Sequence, residues 1–363
     1  GSQMLHLAGT TGCGTITWCT GERALLDHVV PRITAAAEAG AVVTNRVTDP
    51  YSVSLNTDSQ RSYIANLSAA NLKPAGWDAS AIPPTVAAST DLVVYELHVR
   101  DLTMASTSGA LRDHRGKFLA LNDWGTSYTK TTTTINSKTK KKTVVKTKVP
   151  TGMASIKDLG VTHVQLLPIY DYASGGDETS PSFNWGYDPL HFNAPEGSYA
   201  SDAEDGAKRI LEFRRMVKSL NEVGLRVGMD MVYNHTSASG QHLHSVLDRI
   251  VPGYYQRLNA QGEVERSTCC DNTATEHLMM GKLMSDSVLM WAVHYKLDSF
   301  RFDLMGHQPR QVMVDMQERV QQVTGRRIDF VGEGWNFGEV ANGSRFRSEE
   351  HTSELQSLAC ISY

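Results

Sequence analysis

Short apolar runs alternate with segments of helical spacing along most of the chain. The runs end in polar residues and lie at 92–101, 161–168, 225–235, 299–304 and 329–334. Between them, residues 206–223, 281–296 and 310–323 have the apolar spacing of amphipathic helices. Strands that alternate with helices predict a parallel sheet. Continuous apolar strands with polar ends are typical of a TIM-type barrel, whose active site is built from those ends.

The pattern supplies about five strands, whereas a closed (β/α)8 barrel has eight. Only 30 residues follow Glu333, which is too few for three further strand–helix units. The predicted fold class is therefore α/β, with an incomplete TIM-type barrel over residues 92–347. Residues 348–363 lose the pattern and predict neither a helix nor a strand, which is typical of a non-native tail.

Several segments fall outside the barrel pattern. Residues 1–41 are uninformative, residues 42–80 alternate with turn residues in the manner of a small all-β module, and residues 81–91 predict a linker. Residues 126–150 are rich in Thr and Lys and predict a solvated loop, because they cannot bury an apolar face. A nucleic-acid-binding patch is the alternative for this insertion, but Tyr128 is its only aromatic residue.

Composition and charge exclude several classes of function. With 40% hydrophobic residues the chain can bury a core, and its net charge of −4 mixes both signs. This balance gives no electrostatic reason to expect nucleic acid or a membrane as partner, and no protein partner is implied. No apolar run reaches the roughly 18 residues of a membrane span, and the first residues lack the features of a signal peptide. The compartment therefore stays unknown.

The cysteines and a close pair of histidines do not predict a metal site. The five cysteines are an odd number, and none has the Cys-x-x-Cys spacing of zinc sites. The adjacent Cys269 and Cys270 are poor candidates for a structural bridge, so we expect all five to be incidental thiols. His242 and His244 flank one leucine, but no third ligand is spaced to join them. A surface or hydrogen-bonding role is favoured for both histidines.

Two carboxylates occupy positions where a barrel enzyme would use them. Hydrolysis of a glycosidic bond needs a general acid beside a second carboxylate, which attacks the sugar or activates a water. Asp303 and Glu333 end successive predicted strands, 30 residues apart, and should face the same mouth. Arg301 shares a strand face with Asp303 and would keep it ionised. Asp230 and His235 end the preceding strand, although a single acidic residue at a strand end is more often a helix cap or a loop residue.

Four short motifs resemble signature regions of known enzymes. The letters DMVYNH at residues 230–235, FRFDLMGH at 300–307 and GEGW at 332–335 are similar to three of the four regions of the α-amylase superfamily. FNWGYDP at 183–189 resembles the signature of its pullulanase-type debranching branch, with Phe183 where Tyr is usual. The resemblance covers residues 42–125 and 151–347. In detail, the sequence is similar to limit-dextrinase-type enzymes. It makes residues 42–80 resemble the end of a carbohydrate-binding β-sandwich module.

The resemblance implies a retaining hydrolase for α-1,6 branch linkages in pullulan, amylopectin or limit dextrins, with an α-glucan as partner. Asp303 matches the nucleophile and Glu333 the acid/base, with about 5–5.5 Å between the carboxyl groups. Arg301 would position Asp303, and His235 would hydrogen-bond the sugar. No cofactor is required, although calcium binds in some relatives at the position matched by Asn234. The other substrate-binding positions implied are Trp185, Tyr187, Asp188, Asp230, His307 and Trp335.

The fourth signature region of the superfamily has no match in this chain. It supplies a His-Asp pair whose Asp is a third catalytic carboxylate, and none of the thirteen histidines here is followed by Asp. We therefore expect this truncated polypeptide to have little or no debranching activity. Two other functions stay open: a catalytically silent α-glucan-binding protein, and an α-1,4-acting amylase or branching enzyme. The FNWGYDP motif argues against the last of these.

Overall fold

The structure, a computed structural model, describes residues 45–173, 178–179, 182–345 and 359–360. Predictions for residues 1–41 lie outside this part of the chain. The strands are β1 (Val94–Leu97), β2 (Ser127–Ile135), β3 (Lys142–Pro150), β4 (His163–Leu166), β5 (Tyr170–Tyr172), β6 (Pro189–Pro195), β7 (Arg226–Met231), β8 (His235–Thr236), β9 (Asp271–Asn272), β10 (Ser299–Phe302), β11 (Asp329–Gly332) and β12 (Ala359–Cys360). The helices are α1 (Val99–Thr103), α2 (Gly152–Asp158), α3 (Gly206–Glu222), α4 (Leu247–Ile250), α5 (Leu278–His294) and α6 (Arg310–Thr324).

A parallel sheet in the order β1-β4-β7-β10-β11-β12 forms the centre of the fold. All five predicted strand segments contribute to it, which confirms an α/β fold with a parallel sheet. In its middle, Phe300 pairs with Met229 on one side and with Phe330 on the other, and all three side chains are buried. Burial on both faces explains why these strands are apolar throughout. A closed eight-stranded barrel is not confirmed.

Strand β12 differs from the prediction that residues 348–363 contain no strand. Its two residues pair in parallel with Val331 and Gly332 of β11. The free edge of a strand presents unpaired backbone amides and carbonyls, and even a very short extended segment satisfies some of them. Pairing of this kind depends on backbone geometry, so it leaves no signature in the hydrophobic pattern.

Helices α3, α5 and α6 follow the predicted segments closely. Asp205 caps α3, because its carboxylate accepts hydrogen bonds from the backbone amides of Ala207 and Lys208 at 3.0 and 3.3 Å. The predicted apolar face of α3 is fully buried and consists of Ile210, Phe213, Val217 and Leu220. Within the described ranges, none of the helices combines the length and the apolar content needed to cross a bilayer.

Residues 45–80 do not have the strands of the predicted all-β module, which is therefore not confirmed. Their β-structure is one isolated bridge between Leu55 and Ser62, accompanied by short 3-10 turns. The guanidinium of Arg214 in α3 donates to the carbonyls of Leu67 and Leu72 at 2.8 and 2.7 Å. A buried cation of the α/β fold thus satisfies backbone carbonyls of this segment, as a neighbouring strand would in a sheet. The segment therefore packs on the α/β fold itself.

Residues 127–150 form an exposed antiparallel hairpin, where a solvated loop is predicted. Strands β2 and β3 pair over nine residues each, from Ser127 opposite Pro150 to Ile135 opposite Lys142. Nearly all their side chains are exposed, as predicted. The prediction of a loop fails because Thr and Val favour extended backbone, and local pairing of two strands requires no buried face.

Candidate active site

The polar ends of three neighbouring strands meet at one edge of the parallel sheet. Asp230 of β7 lies opposite Arg301 of β10. Asp303 follows β10, and its backbone amide donates to the carbonyl of Met231 at 3.0 Å. Glu333 follows β11, the next strand of the sheet. Because parallel strands in register bring their carboxyl ends together, the three predicted carboxylates converge.

Arg301 lies at the centre of this group. Its Nη1 donates to both carboxylate oxygens of Asp230, at 2.9 and 2.8 Å, and to Asp303 Oδ1 at 3.3 Å. Its Nη2 donates to Glu333 Oε1, and the backbone amide of Leu304 donates to Glu333 Oε2 at 3.2 Å. Burial opposes the charge on Arg301, but its anionic neighbours, Asp230 foremost, together outweigh burial and raise the Arg301 pKa above its usual value. One guanidinium therefore binds three carboxylates.

Burial perturbs two of these carboxylates. The pKa of Asp303 is raised to about 7, first by burial and then by the charge of Asp230, whereas Arg301 opposes the rise. The pKa of Asp230 is raised to about 6 by burial, and Arg301 and Tyr187 oppose that rise. Groups whose pKa values lie near neutrality can take up and release protons at working pH, which is typical of acid/base sites.

The FNWGYDP segment is attached to the carboxylates through Tyr187. The Tyr187 hydroxyl donates to Asp230 Oδ2 at 2.7 Å, and the Tyr187 carbonyl lies 2.6 Å from His235 Nε2. Burial lowers the pKa of His235, which favours the neutral imidazole. The side-chain amide of Asn234 lies between His235 and Asp303, 3.0 Å from His235 Nδ1 and 3.2 Å from Asp303 Oδ2. These predicted residues thus form one hydrogen-bonded network.

Exposed aromatic rings stand on the same segment, just before Tyr187. Phe183 and Trp185 have 43% and 57% of their surfaces exposed, and their ring centroids are 5.1 Å apart. His98, directly after β1, contacts the ring of Phe183, and its Nε2 lies 2.8 Å from the carbonyl of Asn184. Exposed apolar groups beside a polar site are typical of ligand-binding grooves. His98 is absent from the predicted site, although its position at the end of an apolar run is the signal that identifies Asp303.

Gly186 and Asp188 fix the course of the backbone around Tyr187. Gly186 has a φ of +86°, and a Cβ there would lie 2.9 Å from Cβ of Pro168, so a larger residue would be strained and would clash. Burial raises the pKa of Asp188 to about 6. Its Oδ1 is buried and has no hydrogen-bond partner within the described ranges. Asp188 is therefore a half-buried acidic group adjacent to the network.

His307 and Trp335 have different environments. His307 is fully buried, with its ring centroid 4.8 Å from that of Phe337 and its Nδ1 3.7 Å from Glu339 Oε1. Trp335 has 40% of its surface exposed. Trp335 can thus contact a ligand directly, whereas a contact between His307 and a sugar would require the residues that enclose the imidazole to move.

A buried network that the sequence pattern does not predict holds the segment after Glu333. Glu339 accepts hydrogen bonds from Arg257 Nη1 and Asn272 Nδ2, both at 2.9 Å. Arg257 is fully buried and also donates to the carbonyl of His307 at 2.9 Å. Burial opposes ionisation of Glu339, but its hydrogen-bond donors outweigh burial and hold the Glu339 pKa well below its usual range. No motif or spacing signals this network, because its members come from distant parts of the chain.

Cys269 and Cys270 form a disulfide between adjacent residues, so the prediction that this pair consists of unbridged thiols is wrong. His235 in β8 pairs with Asn272 in β9, and this pairing brings the loop that carries the two cysteines to the candidate site. Cys269 Sγ lies 3.4 Å from His235 Nε2. Local loop geometry decides whether adjacent sulfurs meet, and cysteine spacing alone does not encode it. The two N-terminal cysteines lie outside the described residues.

Two groups of side chains in the described part of the chain have the proximity of metal ligands. They consist of His235, Cys269 and Cys270, and of the buried Asp171, Glu178 and Glu196. The sulfurs of the first group are bonded to each other, and Arg209 donates to Glu178 at 2.8 Å in the second, so both groups have internal partners. Neither group contains the pair His242 and His244.

In sequence and in structure the chain is similar to pullulanases. It is 38% identical over 336 residues to Pullulanase 1, chloroplastic, of Arabidopsis thaliana, which covers 82% of this chain and 32% of that protein. It is 35% identical over 358 residues to the pullulanase of Klebsiella pneumoniae, which covers 80% of this chain and 31% of that protein. The crystal structure of a pullulanase from Paenibacillus barengoltzii in complex with maltohexaose and α-cyclodextrin has a TM-score of 0.72 at 38% identity, and the match covers 84% of this chain and 44% of that one. The chain spans about a third of the length of these curated relatives, and no family model matches it.

Proposed function

Because the chain belongs to the pullulanase family, we propose that it hydrolyses α-1,6-glucosidic branch linkages in pullulan, amylopectin or limit dextrins. One observation carries the proposal: a single guanidinium, that of Arg301, binds both Asp303 and Glu333 at the ends of adjacent strands. Two carboxyl groups on one cation lie close together, as a glycosidase with two catalytic carboxylates requires. A related pullulanase seen with maltohexaose supports the α-glucan as ligand class.

The proposed reaction uses Asp303 as nucleophile and Glu333 as acid/base. A carboxylate oxygen of Asp303 bonds to the anomeric carbon while the bond from that carbon to the bridging oxygen breaks, and Glu333 gives its proton to that oxygen. Glu333 then takes a proton from a water, whose oxygen bonds to the anomeric carbon and displaces Asp303. Two displacements at the same carbon retain its configuration.

The neighbouring residues have proposed roles in orientation and binding. Arg301 donates to both catalytic carboxylates and would hold them in position. The residues around the two carboxylates would bind the sugar chain. These binding residues are Asp230, Tyr187, His235 and Asp188 around the cleaved sugar, and Trp185, Trp335 and His307 farther from it.

The protonation of Asp303 gives the proposed reaction a pH dependence. A nucleophilic carboxylate must be ionised, and the pKa of Asp303 is about 7 because of burial and the charge of Asp230. The ionised fraction rises as pH rises through this value. We therefore expect kcat/KM for pullulan to fall as the pH is lowered through about 7, the pKa of Asp303.

Replacement of each catalytic carboxylate tests the mechanism. We expect Asp303→Asn and Glu333→Gln to lower the release of reducing ends from pullulan by more than about 100-fold relative to the unchanged chain. Glu318→Gln, an exposed residue of α6, serves as the control and should leave the rate unchanged. Because we expect low turnover, the assay uses concentrated protein and long incubation. Wild-type rates in both carboxylate variants would refute the assignment.

A silent glucan-binding protein is the second candidate, and the exposed rings of Phe183, Trp185 and Trp335 favour it. Affinity electrophoresis in gels that contain amylopectin separates the two functions from each other. A chain that is retarded by amylopectin, loses retardation in Trp185→Ala and releases no reducing ends would be a binding protein. A chain whose reducing-end release depends on Asp303 and Glu333 is a hydrolase.

A further inference from the structure

A cavity of about 780 Å³ lies apart from the candidate active site. It is lined by residues 46–48 and 58–61, by the β5–β6 pair, and by residues 243–246 and 249. None of the predicted catalytic or substrate-binding residues contributes to the lining. Its volume is in the range of pockets that hold small ligands, so the cavity is large enough for a molecule of the size of a sugar phosphate.

Positive side chains predominate in the lining. Arg46, Arg61 and Arg249 line the cavity, and Asp58 is the acidic residue among them. Arg61 is paired with Glu204, with 2.8 Å between Nη2 and Oε1. In the described part of the chain, neither Arg46 nor Arg249 has a carboxylate partner. These two guanidiniums can therefore bind an anion without breaking an ion pair.

Two polar atoms of lining residues are buried without a hydrogen-bond partner among the described residues. They are the Oγ of Ser245, a residue only 1% exposed, and the Nε of Arg249. A buried polar group without a partner is unfavourable, and such groups are normally satisfied by protein, water or a ligand. Ser245 and Arg249 both belong to the segment of residues 243–249 that contributes to the lining.

The acidic groups near the cavity have contacts of their own. Asp58 Oδ1 accepts a hydrogen bond from the backbone amide of Glu178 at 3.3 Å. Asp171, behind the lining, accepts from Ser59 Oγ and lies 2.6 Å from His191 Nδ1. These carboxylates therefore have partners of their own, whereas Arg46 and Arg249 have no carboxylate partner among the described residues.

We propose that this cavity binds a phosphate group carried on a sugar. The guanidiniums of Arg46 and Arg249 present paired donors that match the oxygens of a phosphate. The side chains of Thr48 and Gln60 would contact the sugar hydroxyls. A neutral glucan fits less well, because Tyr172 is the one tyrosine, tryptophan or phenylalanine in the lining and only 5% of it is exposed for stacking.

Calorimetric titration of the 363-residue chain with three probes tests this proposal. We expect glucose 6-phosphate to bind at one site, inorganic phosphate to bind the same site more weakly, and glucose to give no heat. Arg46→Met and Arg249→Met should each weaken glucose 6-phosphate binding by about 10-fold or more, and added salt should weaken it further. Arg310→Met, an exposed arginine of α6 outside the lining, is the matched control and should bind normally.

Several outcomes would overturn the proposal. They are no binding of glucose 6-phosphate, equal binding of glucose, or binding that neither Arg46→Met nor Arg249→Met weakens. Arg46 is exposed, so its replacement tests the site without disturbing the core. If inorganic phosphate binds as tightly as glucose 6-phosphate, the phosphate part is supported and the sugar part is refuted. Because the readout is binding, the result does not depend on glucan hydrolysis.

Discussion

Arg301 contacts Asp230, Asp303 and Glu333, and the protonation of this group depends on its single positive charge. Burial alone would push the carboxylates toward their neutral forms, and Arg301 opposes that change in both Asp230 and Asp303. The same cation that orients the proposed nucleophile thus also keeps part of it ionised. Arg301 therefore affects both the position and the pKa of Asp303.

We expect Arg301→Gln to destabilise the fold in a pH-dependent manner. Asp230 and Asp303 have raised pKa values, about 6 and about 7, so they favour the folded state at low pH and lose that contribution as pH rises through those values. Removal of Arg301 should raise both pKa values further, because Arg301 opposes their rise. The free energy of unfolding should therefore fall by about 3–5 kcal/mol at pH 8 and by less at pH 5.

Urea unfolding at pH 5 and pH 8 measures this difference. Arg310→Gln is a suitable control, because this exposed arginine lies at the start of α6. An equal loss at both pH values would mean that Arg301 contributes packing and no charge compensation.

The segment after β11 is held by contacts to distant elements. Glu339 binds Arg257 and Asn272, and Ser267 also donates to it. Because Asn272 belongs to β9, which pairs with His235, this network connects the segment that follows Glu333 to the loop beside His235. Two sides of the candidate site are thereby joined through a buried ion pair.

Glu339→Gln is expected to loosen this connection. The amide of Gln would place a donor against donors, and Arg257 would lose one of its charged partners, so the free energy of unfolding should fall by about 2–4 kcal/mol. The Glu339 pKa is depressed, so the wild-type contribution is present above the usual Glu range and is lost as pH falls below it. Faster amide exchange in residues 335–343 at pH 7, relative to Glu318→Gln, would be the direct readout. Unchanged exchange would contradict the prediction.

The molecule as a whole separates into a buried α/β body and an exposed hairpin. The side chains of β2 and β3 are almost all in solvent, so the hairpin contributes little apolar burial. The body around it is dense, with Trp291 and Phe213 fully buried and in ring contact. Stability therefore resides in the body.

We expect removal of residues 129–148, with an Asn-Gly turn joining Tyr128 to Val149, to leave the free energy of unfolding within about 0.5 kcal/mol of the original value. Chemical denaturation of the shortened chain checks this. A control in the body, Phe213→Ala, should lose about 3–5 kcal/mol. A large loss on hairpin removal would mean that the hairpin packs on the body.

The sequence predicts the parts of this molecule that follow a repeated local pattern. The strands that end at Asp303 and Glu333 could be located because burial on both faces makes them apolar throughout, and helix α3 because its buried face repeats. The network of Arg257 and Glu339 could not, since its residues meet only through the folding of distant segments. The disulfide of Cys269 and the extended form of residues 127–150 also depend on local geometry that composition does not record.

Gly186 separates two aromatic residues with different tasks. Its left-handed backbone conformation turns the chain between Trp185, which is exposed, and Tyr187, which donates to the buried Asp230. Substitutions of Trp185 can therefore change the exposed surface without removing the hydrogen bond from Tyr187 to Asp230. Under the proposed function, ligand preference at Trp185 and the environment of the carboxylates at Tyr187 can change independently in evolution, provided that the residue between them remains glycine.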